Sequence, residues 1–334
     1  MHCAVLHAAG DVRVDRMDDP VPQAGESLVR ITSVGLCGSD LHWFTDGAIG
    51  DAALSRPLVL GHEMAGVVVS GPSAGRSVGI DPALPCGQCR ECRSGLEHLC
   101  TRMHFAGHSD TDGGLRELMA WPDRRLHLLP DGYDPACGSL LEPLGVAVHS
   151  ADLAHLRFGW TVAVIGCGPI GLMLIELATL AGCAVTAVEP LAHRRDAARR
   201  AGATTVLEPD EVTGSALDGT CDAAFEVSGA DDGLARAAVL VRPGGRIVLV
   251  GIPGDDNDTT TFAASTMRRK GLTLACVRRM TDNAYARAIA LAVRGAVDLS
   301  WLATQRFPLS DATEAFATAA RREGLKVVVD VTAG

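Results

Sequence analysis

Lysine is nearly absent from this chain: among 334 residues it stands only at Lys270 and Lys326, and arginine carries almost all of the positive charge. Acidic residues outnumber basic ones by 40 to 30, a formal net charge of -10, so the electrostatic footprint of a nucleic-acid or anionic-membrane binder is missing. Aromatic residues make up only 4%. No apolar run reaches the roughly 20 residues that a membrane-spanning helix needs. The opening MHCAVLHAAG also lacks the basic and long apolar regions of a signal peptide. The expectation is a cytoplasmic protein whose partner is a small molecule. What the chain does have is 47% apolar and 21% charged residues over a length that suits two domains.

Eleven cysteines in a chain of this size, with no export signal, do not read as a disulfide framework. Cys86, Cys89, Cys92 and Cys100 form C-x2-C-x2-C-x7-C, while the other seven are scattered. Of these, Cys3, Cys137, Cys183, Cys221 and Cys276 read as small buried hydrophobes.

The first third consists of short β-rich segments broken by Gly and Pro, such as LVRITSVG and MAGVVVSG. From about Gly159 the texture changes to apolar strands alternating with helical stretches, the pattern of a doubly wound parallel sheet. After about residue 275 the earlier character returns and ends in LKVVVDV. The expected plan is an α/β chain with one discontinuous domain, 1–148 and 276–334, interrupted by a nucleotide-binding domain, 149–275.

Three constellations carry chemistry. Thiolates spaced two residues apart turn back on one ion, and four close a tetrahedral zinc shell. A closed shell leaves no place for substrate, so Cys86, Cys89, Cys92 and Cys100 are expected to fold a lobe at about 82–104 around a structural zinc. The polar neighbours Gln88, Arg90, Glu91 and Arg93 argue against four cysteines packed simply as hydrophobes.

Next, Gly166-Cys167-Gly168-Pro169-Ile170-Gly171 fits G-x-G-x-x-G directly after an apolar strand and directly before a helix, the context of a dinucleotide site. Its glycines allow a pyrophosphate to approach the helix N-terminus. Glu189, at the end of the next strand, can accept the ribose hydroxyls of the adenosine half, which favours NAD over NADP. Arg194 and Arg195 stand where a 2′-phosphate is held and argue the other way. Gly251, in the glycine-rich segment after a later strand, is a further cofactor candidate.

The third constellation is dispersed: Cys37 in CGSDLH, His62-Glu63 in GHE, and Glu142 in EPL. Thiolate, imidazole and carboxylate are zinc ligands, and a site short of four protein ligands leaves room for a substrate oxygen. Each residue alone is weak, since a lone Cys or His is usually packing. Trp43, which follows His42, either walls a substrate cleft or simply packs.

In this order the residues resemble the zinc-dependent medium-chain dehydrogenases, within them the sorbitol, xylitol and threonine dehydrogenase branch. The likeness runs through CGSDLHWFTDGAIG, PLVLGHEMAGVV, the four-cysteine lobe, LLEPLGVAVHS and VAVIGCGPIGL. It implies a GroES-like β-rich catalytic domain plus a Rossmann domain, with the active site between them. Cys37, His62 and Glu63 then become ligands of a catalytic zinc. Glu142 takes the position of a further ligand, direct or through water. Ser39 and His42 fall on the positions that relay the alcohol proton, and Arg278 on a substrate-binding arginine.

The resemblance further implies a homo-tetramer or homo-dimer with one catalytic and one structural zinc per chain. Gly47-Ala48-Ile49-Gly50 departs from the branch, whose polyol enzymes commonly carry Arg at the second position, and this puts sorbitol itself in doubt. The expected activity is transfer of hydride from a secondary alcohol of a polyol-like substrate to NAD. The alternatives are an amino-alcohol or aminocyclitol dehydrogenase, and a catalytically silent NAD-binding sensor.

Overall fold

The computed structural model describes residues 1–50, 52–253 and 259–332. It divides into two compact units, residues 1–142 with 288–334, and residues 143–287.

The first unit is built on a seven-stranded sheet around Glu26–Gly35. The burial of that strand alternates at its start and becomes continuous at its end, as expected of a strand with one face on a core. Glu63–Ser70 and Leu118–Pro122 pair with it antiparallel. So does Val327–Asp330 near the C-terminus, with Val328 opposite Gly35 and Val329 opposite Val34. This pairing is why the last residues return to the first unit. Ile31, Val34, Met64, Val68, Ile80, Phe316 and Val329 share one core.

That unit also buries an ion pair. Arg125 donates to Asp81 at 2.6 Å, both side chains being almost fully covered. The same guanidinium lies 3.5 Å from Glu97 in the four-cysteine lobe. The Trp121 indole N–H donates to the Asp81 carbonyl at 2.8 Å.

The second unit carries six parallel strands in the order Thr205–Leu207, Ala184–Val188, Thr161–Ile165, Cys221–Glu226, Val241–Leu249, Thr273–Cys276. In chain order this is 3-2-1-4-5-6, the doubly wound arrangement with its switch point beside the first strand.

Two features differ from the sequence expectation. The breaks between units fall inside the helices Leu141–Ala154 and Asp282–Val293. Within the second unit these helices bind each other: a Cβ at Gly145 would meet Met280 and Tyr285, and Arg287 pairs with Asp152 at 2.7 Å. Cys276 is exposed, whereas Cys3, Cys137, Cys183 and Cys221 are buried. It ends the edge strand of the sheet, which has no further strand beside it among the described residues. No helix among the described residues is long and apolar enough to cross a membrane.

Replacing Arg125 by Met strands the Asp81 carboxylate in the core. The expected loss is on the order of 3 kcal/mol in unfolding free energy, measured by urea denaturation against the parent.

Candidate active site

The helix Gly38–Asp46 begins at Cys37, whose extended backbone (φ -94°, ψ 160°) sets the N-cap. Asp40, three residues into the helix, reaches back: its Oδ2 accepts the Cys37 N–H at 2.9 Å. Its Oδ1 accepts the Gly61 N–H at 3.2 Å and lies 3.4 Å from Nδ1 of His62. Burial alone would raise this carboxyl, but the His62 ring and the two N–H groups outweigh it and hold Asp40 below the usual carboxylate range. One buried acid therefore fixes both the segment carrying Cys37 and the segment carrying His62. Asp40 stands inside CGSDLH, yet nothing in the sequence assigned it a role. The signal was present, because a carboxylate beside a metal-binding His is the usual way to set its ring orientation.

The donor atoms of Cys37, His62 and Glu63 all lie within 4.8 Å of one another. A soft thiolate, an imidazole and a carboxylate this close fit zinc, and with three protein ligands they leave a fourth position open. Ser39 Oγ is 3.5 Å from Nε2 of His62.

Glu63 faces Gly35 across the sheet, and the register explains the glycine. A Cβ at position 35 would stand 2.1 Å from Glu63 Oε2 and 3.1 Å from the Lys326 side chain. Lys326 Nζ donates to Glu63 Oε1 at 2.7 Å and lies 2.6 Å from Oε2 as an ion-pair contact, with both side chains buried. Burial alone would lower this ammonium, but the Glu63 charge overrides it and raises Lys326 above its ordinary value. Sequence reasoning missed this lysine. Its only advance signal was that it is one of two lysines in the chain and precedes the last strand.

Glu142 opens the helix Leu141–Ala154 and is 4% exposed. It does not join the group of Cys37, His62 and Glu63. Burial pushes its carboxyl up to about 8 against the pull of His62, with Glu63 adding to the rise. Trp43 is 1% exposed, packed in the core with its ring edge-on to His108 at 5.4 Å, so it forms no open cleft wall. Its indole N–H has no hydrogen-bond partner among the described residues. His42 is half-buried on the helix, and Nδ1 lies 3.1 Å from Asp46.

The four donors of Cys86, Cys89, Cys92 and Cys100 also lie within 4.8 Å of one another. Backbone N–H groups of Gln88 and Cys89 point at Cys86 Sγ at 3.4 and 3.3 Å. Cys92 N–H points at Cys89 Sγ at 3.5 Å. The Gln88 N–H contributes most to drawing Cys86 down to about 6. Four sulfurs served by peptide donors suit a closed tetrahedral zinc shell.

In the second unit, the turn Gly166–Gly171 joins the strand Thr161–Ile165 to the helix Pro169–Leu180. A Cβ at Gly171 would come to 2.0 Å from the Gly166 carbonyl, so the turn closes only with glycine there. A Cβ at Gly168 would meet nothing nearer than Arg194 at 3.8 Å, which leaves room above the helix N-terminus for a phosphate. Pro169 and Ile170 form the first helical turn. Glu189 is buried, and its oxygens accept the N–H groups of Cys167 at 2.7 Å and Leu191 at 3.0 Å.

Arg195 is engaged elsewhere, with Glu208 at 2.7 Å and the carbonyls of Glu189 and Pro190. A Cβ at Gly251 would fall 2.4 Å from the Gly229 N and 2.6 Å from Glu226, so close packing of loops accounts for this glycine. Arg278 is exposed in the segment between the last strand of this sheet and the helix Asp282–Val293.

Comparison with known proteins agrees with this geometry. Residues 23–131 match the family described as Alcohol dehydrogenase GroES-like domain, and residues 169–294 match Zinc-binding dehydrogenase. Sorbitol dehydrogenase of Bacillus subtilis is 31% identical over 98% of this chain and 97% of its own length. The crystal structure of L-idonate 5-dehydrogenase from Escherichia coli superposes with a TM-score of 0.91 at 27% identity, covering 99% of this chain and 98% of that one. A Sinorhizobium meliloti structure described as a zinc-binding dehydrogenase bound to NADP has a TM-score of 0.90 at 27% identity, over 99% of both chains. The chain therefore belongs to the zinc-dependent medium-chain alcohol dehydrogenases. Within that family it lies in the sorbitol dehydrogenase-like branch.

Two outcomes follow for the metal ligands. Gly35→Ala pushes a methyl group into the Glu63 carboxylate, and elemental analysis is expected to show loss of one zinc with the four-cysteine zinc retained. In chelator-treated protein, Glu142 keeps a proton between an ordinary 4.5 and about 8, where the unfolded chain has lost it. The contribution of Glu142 to the stability of that form is therefore fully present below the lower value and is lost as pH rises toward the upper one. Thermal melts across this range should show the slope in the parent and a reduced slope in Glu142→Gln.

Proposed function

We propose that the chain oxidises a secondary alcohol of a polyol-like substrate to a ketone, with NAD as hydride acceptor. The observation that carries this reading is the convergence of Cys37, His62 and Glu63 within 4.8 Å, held by Asp40, in a chain that also has the Gly166–Gly171 turn. Zinc bound by those three residues supplies a Lewis acid for the alcohol oxygen, and the nicotinamide supplies a place for the hydride.

The chain's own residues manage the proton and the fit. Ser39, beside His62, accepts the hydroxyl proton and passes a proton on toward His42. Glu142, outside the ligand trio, is read as reaching the zinc through water. The exposed guanidinium of Arg278 is read as a donor to further substrate hydroxyls. A chain that keeps ligands, relay and glycine turn together favours an enzyme over a silent sensor.

NAD is preferred on the reading that Glu189, at the end of the strand after the glycine turn, meets the adenosine ribose, and because Arg195 is occupied by Glu208. Cys276 and Leu274 are exposed on an edge strand, which supports assembly into a homo-dimer or homo-tetramer. Eleven free cysteines support a cytoplasmic setting.

The test is NADH formation by zinc-replete protein across linear polyols, inositols, amino-alcohols and simple secondary alcohols, with NADP and a chelator-treated sample in parallel. Turnover of linear polyols or inositols with NAD, abolished by the chelator, is expected. Turnover confined to amino-alcohols transfers the reading to that class. Silence across the panel with NAD still bound overturns it in favour of a sensor.

A further inference from the structure

Ser39, His42 and Asp46 stand at positions i, i+3 and i+7 of the helix Gly38–Asp46, which gathers them within about 60° of arc on one face. Other residues of the helix face the core: Asp40 and Trp43 are buried, and Phe44 packs on Phe316 with ring centroids 5.2 Å apart. Along the first stripe the surroundings change in order. Ser39 is half-buried beside His62, the His42 side chain is 22% exposed, and that of Asp46 is 52% exposed. The stripe leads from the metal ligands to solvent.

Its last member is oddly placed for stability. A carboxylate at the C-terminal end of a helix meets the negative end of the macrodipole, and this helix has no basic residue in its last turn. The partner that Asp46 does have is His42, one turn back, with Nδ1 at 3.1 Å from Oδ2. Such a contact selects the ring tautomer, because an acceptor on Nδ1 requires the hydrogen there and leaves Nε2 as the basic nitrogen.

Other charges nearby are committed. Asp40 serves Cys37, Gly61 and His62. On the helix Ala312–Ala320, which packs against this one, Glu314 is held by Thr318 and Arg321. The adjacent strand Ala48–Ile49 carries no charge.

We propose that Asp46 is a positioning residue for proton release, holding the Nδ1–H of His42 so that Nε2 takes the proton relayed through Ser39. This rests on the reading of Ser39 and His42 as the relay. In the oxidation, the C–H bond breaks with its electron pair and hydride goes to the nicotinamide. The O–H bond breaks as a proton: Ser39 accepts it while its own proton passes on to His42 Nε2. The imidazolium then gives that proton to water. Asp46 exchanges no proton in the step and is not consumed.

The first test needs no substrate. In protein labelled with 15N-histidine, the neutral His42 ring should appear as the Nδ1–H tautomer in the parent and revert mainly to Nε2–H in Asp46→Ala. An Nε2–H ring in the parent overturns the proposal.

The second test uses the alcohol turned over fastest in the panel. Asp46→Ala should lower kcat by about tenfold, a modest share of general-base catalysis. KM values for NAD and alcohol should stay unchanged and the solvent isotope effect on kcat should rise. Asp46→Glu should recover much of the rate. The melting temperature of Asp46→Ala should not fall, since the lost charge opposed the helix dipole; a fall matching the lost activity means a structural role and overturns the proposal. His42→Ala separates the two layers. If it leaves kcat and the isotope effect untouched, the relay reading fails. If it lowers kcat and Asp46→Ala does not, the relay stands and the role of Asp46 is rejected.

Discussion

Burying an ionised carboxylate costs several kcal/mol unless its lone pairs find donors. Asp40, with none of its surface exposed, meets that demand with the N–H groups of Cys37 and Gly61 and the ring of His62. Those donors come from two segments that the chain separates by more than twenty residues. The acid is satisfied only when both segments are in place, so its burial and the approach of the two zinc ligands are one event. A structure that lost either ligand segment would also strand the charge.

A second buried charge is handled differently. Glu63 is balanced by Lys326, an ammonium brought in by the C-terminal strand and held against both carboxylate oxygens. Gly35 opposite Glu63 supplies the space. The lysine neutralises this one carboxylate, while Asp40 relies on the His62 ring and two N–H groups, and the Cys37 sulfur adds a further acidic group to the same site. An excess of negative charge in a buried site is what a divalent cation relieves. Glu142, pushed up by burial to about 8, answers the same shortage by keeping its proton.

Local spacing made part of this legible in advance. The four cysteines at 86–100 and the glycine turn at 166–171 are short-range patterns, and each constellation closes within its own segment. The strand and helix alternation after Gly159 likewise gave the doubly wound sheet. The trio Cys37, His62 and Glu63 is long-range, and only resemblance put it together ahead of the structure. Lys326 lies beyond both methods: it stands 263 residues from Glu63 and meets it only because Val328 pairs with Gly35. For Trp43 the place after His42 left two roles open, a cleft wall or packing, and three-residue helical spacing from Asp40 turns it with that acid into the core. Cys276 was misread because residue type alone suggests burial for a scattered cysteine, and this one ends an edge strand.

The helix Gly38–Asp46 draws these threads together. Nine residues are too few to hold a helix in water on local propensity. Its alignment therefore comes from what it packs on: Phe316 against Phe44, the Gly10 N–H on the Phe44 carbonyl at 2.6 Å, and the Asp40 anchor at its start. Phe316, Lys326 and Val329 all belong to the last segment of the chain, and each bears on the candidate zinc site through a different route. The first steadies the helix, the second balances Glu63, and the third pairs with Val34 beside the strand end that faces Glu63. The discontinuity of the first unit is thus more than a topological detail. The final segment supplies the packing and the charge without which the early motif residues would have the right identities and no fixed geometry.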